Sequence, residues 1–152
     1  MARRLKKVDN QWLFKNEVFN ITWEEIQKQK LYGFVYLITE LGSGKRYIGE
    51  KAFISFRTPK GKVNKQRFES NWKEYPTSNV VMANHIKKSE LDRNEKFSFE
   101  ILGLALDKSV MKFFEAKMMM QYGALESDNY LNENLKLNIL CTVKDYQDRI
   151  IC

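Results

Sequence analysis

With 152 residues and 43% hydrophobic side chains, the chain is long enough for one domain with a real core and too apolar to stay disordered. Lys and Arg number 26 against 19 Asp and Glu, and the net charge of +7 points to a polyanionic partner, most often nucleic acid, with a generically basic soluble protein as the alternative. Two cysteines, Cys141 and Cys152, without a CxxC or Cys/His cluster, argue against a zinc site and suit free thiols in a reducing cytoplasm, and no apolar run reaches the length of a membrane span.

Residues 1–31 read as a basic N-terminal arm with a short helix. The opening Met-Ala-Arg-Arg-Leu-Lys-Lys leads to no apolar stretch and so is not a signal peptide. Arg3, Arg4, Lys6 and Lys7 have two readings, contacts to a phosphate backbone or a frayed, solvated terminus. Thr22-Trp23-Glu24-Glu25 has capping-box spacing and predicts a helix ending near Lys30. Trp12, Phe14, Phe19 and Trp23 give the arm apolar surface with which to dock on a main domain over 32–135, and 136–152 read as a tail packed on that domain.

Two β-branched or aromatic runs, 32–40 and 45–49, flank Gly42-Ser43-Gly44 and predict a hairpin. Tyr36 and Tyr47 then sit on paired strands and project toward one region, with Arg57 ten residues beyond Tyr47. Two phenols and a guanidinium beside a basic segment suggest chemistry on a phosphate. Residues 50–56 are ambiguous between a loop and a helical turn. From Arg57 to Arg67, five of eleven residues are cationic (Arg57, Lys60, Lys62, Lys65 and Arg67), and Pro59 and Gly61 argue against regular structure. Such a loop suits a nucleic-acid backbone; the alternative is a solvated surface loop. Trp72 and Tyr75 follow, as base-stacking platforms or as core.

Ser78 or Asn79 caps a helix through about Glu90, with Val80, Val81, Met82, Ala83 and Ile86 supplying its apolar surface. His85, the single histidine, is a surface or structural residue, or else contacts phosphate or assists proton transfer. Phe97-Ser98-Phe99-Glu100-Ile101-Leu102 alternates as a third strand whose core face is Phe97, Phe99 and Ile101. Asp107 or Ser109 opens the next helix, with its body over 110–122 and Gly123 at the C′ position. Within that helix Glu115 shares a face with Met111, Met118 and Met119. A carboxylate in an apolar stripe must meet a cation, a metal or a polar pocket; a structural salt bridge is the plain alternative. Asn132, Asn134 and Asn138 mark the segment that follows.

Taken in this order, the chain resembles the GIY-YIG nuclease superfamily over roughly residues 33–135, particularly its small phage-type, homing-like members. The second signature stands intact as Tyr47-Ile48-Gly49. Where the family has Gly-Ile-Tyr, this chain has Phe34-Val35-Tyr36, with Gly33 one position earlier. The resemblance implies an α+β fold with a small three-stranded antiparallel sheet flanked by helices, here with an N-terminal helical arm. It implies a DNA endonuclease that hydrolyses phosphodiester bonds, with a bacterial host cytoplasm as its setting if phage-encoded. Tyr36 and Tyr47 would line the catalytic face, and Arg57 would stabilise charge on the scissile phosphate. Glu115 would ligate Mg²⁺ or Mn²⁺. Asn132 would match the late family Asn, with Asn134 competing for that place, and Lys51 would contact phosphate. Lys60, Lys62, Lys65, Arg67 and His85 complete the expected nucleic-acid contacts. One site cuts one strand, so cutting both requires a homodimer, sequential nicks or reorientation. The reading from another class is a nucleic-acid-binding protein that retains the fold without hydrolysis.

Overall fold

In a computed structural model, which describes residues 8–135 and 146–152, the apolar run after Tyr32 extends into one long strand, β3 (Gly33–Glu40). It is the spine of the sheet. On one side it pairs antiparallel with β4 (Arg46–Ala52), on the other antiparallel with β7 (Phe97–Ala105). This three-stranded centre is the expected one, but the sheet is larger. β1 (Trp12–Phe14) adds parallel to β7, β2 (Glu17–Val18) pairs with β1, and β8 (Ile150–Ile151) pairs with the far end of β7. Among the described residues the sheet therefore has six strands, in the order β2-β1-β7-β3-β4 with β8 beside β7, and the expectation of three is corrected.

The N-terminal region is corrected with it. Its helix forms as the capping box predicts: α1 (Trp23–Lys28) starts at Thr22, whose hydroxyl accepts from the Glu25 amide at 3.2 Å. Residues 12–18, however, are strands rather than a helical arm. Lys15 and Asn16 both have positive φ, +52° and +65°, the signature of a two-residue type I′ hairpin turn. Trp12 is fully buried, and its indole donates to the Trp72 carbonyl at 3.0 Å. Asn10 and the buried Arg93 (2.9 Å between them) tie the same segment to Tyr75, whose carbonyl accepts from Asn10 at 2.6 Å.

The sheet is a middle layer. One face buries Trp12, Phe34, Tyr36, Ile38 and Phe99 against α1, Phe53, Trp72 and the inner side of α2 (Val80–Lys88). That inner side is Met82, Ala83 and Ile86; Val80 and Val81 are exposed, contrary to expectation. The other face buries Val35, Leu37 and Ile48 under α4 (Lys108–Gln121). α4 is capped by the Asp107 carboxylate on the Val110 amide (2.9 Å) and ends at Gly123 with φ +63°, both as the sequence predicts. Phe97, Phe99 and Ile101 of β7 are buried as the alternation requires. A short α3 (Arg93–Lys96) leads into β7, and α5 (Tyr146–Arg149) leads into β8, with Arg149 paired to Asp107 at 2.9 Å.

The basic stretch is more ordered than Pro59 and Gly61 suggest. β5 (Ile54–Arg57) and β6 (Gln66–Glu69) form a separate two-stranded ribbon, with only 58–65 left as its tip. Arg3, Arg4, Lys6, Lys7, Asn138 and Cys141 lie outside the described residues. Cys152 is exposed with a free thiol. Among the described residues no helix is long and apolar enough to cross a membrane.

Candidate active site

The register of β3 on β4 sets Tyr36 opposite Gly49. A Cβ on Gly49 would fall 2.6 Å from the Tyr36 ring and 2.8 Å from the Tyr47 ring, so only glycine lets the two rings lie over the strand at this point. The ring centres are 6.3 Å apart. A β-bulge between β3 and β7 falls at Val35/Tyr36, a device that re-aims side chains beside functional sites.

Both phenols end on the turn before α2. The Tyr36 hydroxyl meets the Thr77 hydroxyl at 2.8 Å, and the Tyr47 hydroxyl meets the Ser78 hydroxyl at 3.0 Å. The Ser78 hydroxyl also acts on the Tyr75 phenol, lowering its pKa against the larger rise caused by burial. Thr77 holds φ +116°, a strained conformation for a β-branched residue. Tyr36 is completely buried, and burial pushes its pKa well above the ordinary tyrosine value. Tyr47 is raised by burial first, against the Ser78 bond, with the negative charge of Glu115 adding to the rise. Of the two, Tyr47 is the one that reaches solvent.

Strand alternation splits β4 between the two faces of the sheet. Tyr47, Gly49 and Lys51 share the tyrosine face, whereas Ile48 and Glu50 point toward α4. The Lys51 ammonium sits 4.1 Å from the centre of the Tyr75 ring, and partial burial lowers its pKa. On the other side, Lys112 of α4 donates to Glu50 Oε1 at 2.8 Å, while Glu50 Oε2 is buried with no partner among the described residues. One turn along α4 lies Glu115. Burial, reinforced by the Glu50 charge and opposed by Lys112, raises its pKa to about 7. α4 packs on the sheet face opposite the Tyr36 ring, yet the Glu115 charge contributes to the raised pKa of both Tyr36 and Tyr47.

The remaining expected residues divide into near and far. Arg57, the last residue of β5, stacks its guanidinium on Phe68 at 4.1 Å and lines a cavity of about 400 Å³ with Lys51 and Ser70. Asn132 spends its amide on β4, accepting from the Ile48 N–H at 3.0 Å and donating to the Ile48 carbonyl at 2.8 Å. It closes the outer edge of β4 and lines, with Tyr47, Ser78 and Asn134, a groove of about 450 Å³. Lys60, Lys62 and Lys65 are on the ribbon tip, and Arg67 is on β6. His85 bonds Glu40 at 2.8 Å, at the loop end of the β3–β4 hairpin and away from Lys51. Sequence reasoning missed Glu50, Tyr75, Thr77 and Ser78 as neighbours of the phenols. Only the position of Glu50 and Lys51 directly after Gly49 hinted at part of this set.

Two carboxylates, one with an unpartnered buried oxygen and the other with a raised pKa, suit a hard divalent cation that keeps some of its waters. No group of three or more His, Cys, Asp or Glu gathers among the described residues, so a cation at Glu115 and Glu50 would need water or substrate oxygens to complete its shell. Residues 12–135 match the family model described as "Putative endonuclease segE, GIY-YIG domain". The chain belongs to this GIY-YIG family. No curated protein and no solved structure gives a match. The Tyr47-Ile48-Gly49 triplet expected as the YIG signature lies on β4, and Tyr36, expected as the tyrosine of the first signature, lies on β3. The family is one of nucleases.

Proposed function

We propose that the protein is a metal-dependent DNA endonuclease of the small phage type, hydrolysing phosphodiester bonds beside Tyr47, Arg57 and Glu115. The observation that carries this reading is the cavity that Arg57 and Lys51 line together, on the face of β4 that also carries Tyr47, in a chain of a nuclease family. Glu115 and Glu50 would hold a Mg²⁺ or Mn²⁺ ion, which when bound would supply Lewis-acid stabilisation of phosphate oxygens. The protein's own groups do the rest. Arg57 and Lys51 line one cavity and present two cations to a bridging phosphate. The planar guanidinium, held on Phe68, matches the equatorial oxygens of the transition state. Tyr47 is a neutral phenol near neutral pH, since burial raises its pKa. Through its hydroxyl, held on Ser78, it orients the attacking water. As the water oxygen bonds to phosphorus, its proton passes to bulk solvent, the ester P–O bond breaks and the departing oxygen takes up a proton from solvent. Asn132 acts by fixing β4, and Tyr36 by fixing the Thr77–Ser78 turn.

The complete burial of Tyr36 favours the second reading, a DNA-binding protein that has lost hydrolysis. Plasmid incubated with the protein and Mg²⁺ or Mn²⁺, alongside Glu115→Ala and Arg57→Ala, separates the two. The endonuclease reading expects nicking that both substitutions abolish. No nicking by the unsubstituted protein selects the binding module, and nicking indifferent to Glu115→Ala rejects the metal site. Whether nicked circles go on to linear product with rising protein concentration tests action as a homodimer.

A further inference from the structure

The β5–β6 ribbon stands apart from the main sheet, rooted where Ser70 bonds the carbonyls of Ala52 (2.6 Å) and Phe53 (2.8 Å). Residues 57–67 carry five cations and no acid, so the other 141 residues have a net charge of only +2. The charge of the protein is concentrated at this projection. Cation–π contacts brace both of its faces, Arg57 on Phe68 at 4.1 Å and Arg67 on Phe56 at 5.7 Å. At its tip, Gly61 has φ +82° and the Lys62 amide bonds the Pro59 carbonyl at 3.0 Å, which turns the chain tightly. Val63 is 95% exposed there, among lysines.

A valine left in water at the end of a braced, cationic ribbon has no role in this fold. It suits a thymine methyl. A two-stranded ribbon fits the roughly 12 Å major groove of B-DNA and is too wide for the roughly 6 Å minor groove. We propose that the β5–β6 ribbon is a DNA-reading element that enters the major groove of a duplex, with Lys60, Lys62 and Lys65 on the flanking phosphates and Val63, Asn64 and Gln66 against base edges. Asn and Gln pair with adenine there, and an aliphatic side chain packs on the thymine methyl. Since Arg57 ends β5, the groove contact and the guanidinium that lines the cavity with Lys51 belong to the same ribbon, and seating the ribbon brings a phosphate toward that cavity. This inference rests on DNA being the partner.

The test uses the full chain and a labelled 30-base-pair duplex in EDTA, with affinity read by fluorescence anisotropy. Methyl green occupies the major groove and netropsin the minor groove; both are cationic, so each controls for the other's charge. Pre-bound methyl green is expected to weaken binding at least about ten-fold, and netropsin less than about two-fold, in keeping with the loss of one or two base-edge contacts. The variant Val63→Ala/Asn64→Ala/Gln66→Ala should lose the methyl-green sensitivity. Its thermal midpoint should be unchanged, because all three side chains are exposed and lie outside the core. Lys60→Ala/Lys62→Ala/Lys65→Ala should reduce the slope of log affinity against log salt by about 0.9 per lysine. Competition by netropsin alone, or methyl-green sensitivity that survives the tip variant, overturns the groove assignment while leaving DNA as the partner. No binding to the duplex at low salt overturns the partner itself.

Discussion

Glu115→Gln should make the protein more stable at pH 8, although it removes the residue on which the proposed chemistry turns. In the folded protein this carboxyl titrates at about 7 rather than at its ordinary 4.5, because burial and the neighbouring Glu50 charge outweigh Lys112. Proton counting gives the sign. Between pH 4.5 and 7 the folded protein holds a proton that the unfolded chain has released, so stability falls as pH rises through this window and stays low above it. The fall approaches about 1.4 kcal/mol per pH unit. Allowing for the part of the side chain that water reaches, the whole penalty is about 2–3 kcal/mol. A neutral glutamine of the same shape escapes it. At pH 8, Glu115→Gln should melt roughly 5–10 °C above the unsubstituted protein, a gap that shrinks toward zero as pH approaches 4.5. Thermal melts followed by circular dichroism from about pH 5 to 8.5 measure this directly. Added Mg²⁺ should raise the melting temperature of the unsubstituted protein at pH 8 and leave Glu115→Gln unmoved, since a ligand stabilises only the fold that binds it. A glutamine variant no more stable at pH 8, or a gap that ignores pH, refutes the placement of Glu115 in a desolvated pocket beside a second carboxylate.

Gly49→Ala forces a Cβ to within 2.6 Å of the Tyr36 ring, and overpacking of this kind should cost about 1–3 kcal/mol by urea unfolding, with nicking reduced in parallel. Tyr36→Phe leaves the buried Thr77 hydroxyl with only the long 3.5 Å bond from the Asn79 amide and should cost about 1 kcal/mol, read from the same urea curves. Asn132→Asp keeps the acceptor for the Ile48 amide but sets a carboxylate against the Ile48 carbonyl. It should destabilise by about 1–3 kcal/mol, and hydrogen exchange should quicken at Ile48 before it does on β7.

Much of the frame could be read from local chemistry. The caps at Thr22 and Asp107, the left-handed Gly123 and the alternation of Phe97, Phe99 and Ile101 each stand on a rule that operates within a few residues. Glu115 was conspicuous for the same reason, as one carboxylate in a methionine stripe. What it meets was not legible. The sequence asks for a cation, a metal or a polar pocket; Lys112 is present, but the larger influence among its charged neighbours is a second carboxylate brought from β4. β1 and β2 were missed because strands of three and two residues carry almost no periodicity, and the parallel pairing of β1 with β7 is decided by where Trp12 finds burial. The Thr77–Ser78 turn was legible only as a helix cap. That its hydroxyls receive two phenols from strands some thirty to forty residues away is a fact of packing.

The departure in the first signature has a physical account in the same packing. By the resemblance Phe34 falls where a glycine is expected, and its ring is not part of the lining of the cavity beside Arg57. It is fully buried, 5.0 Å from both the Trp12 and the Phe53 rings and 6.2 Å from Trp72. Those partners come from β1 and from the segments flanking the ribbon. The close approach that needs a glycine occurs one residue earlier, where a Cβ on Gly33 would meet the Met111 sulfur at 2.5 Å and the Lys51 carbonyl at 2.6 Å. Gly33 thus lets α4, with Glu115 one turn after Met111, settle against the start of β3. Phe34 and Trp12 fill the opposite face and hold the sheet to the Trp72–Ser78 segment. The aromatic at position 34 therefore thickens the core on the tyrosine face of the sheet, while Gly33 serves the packing of α4 on the other face.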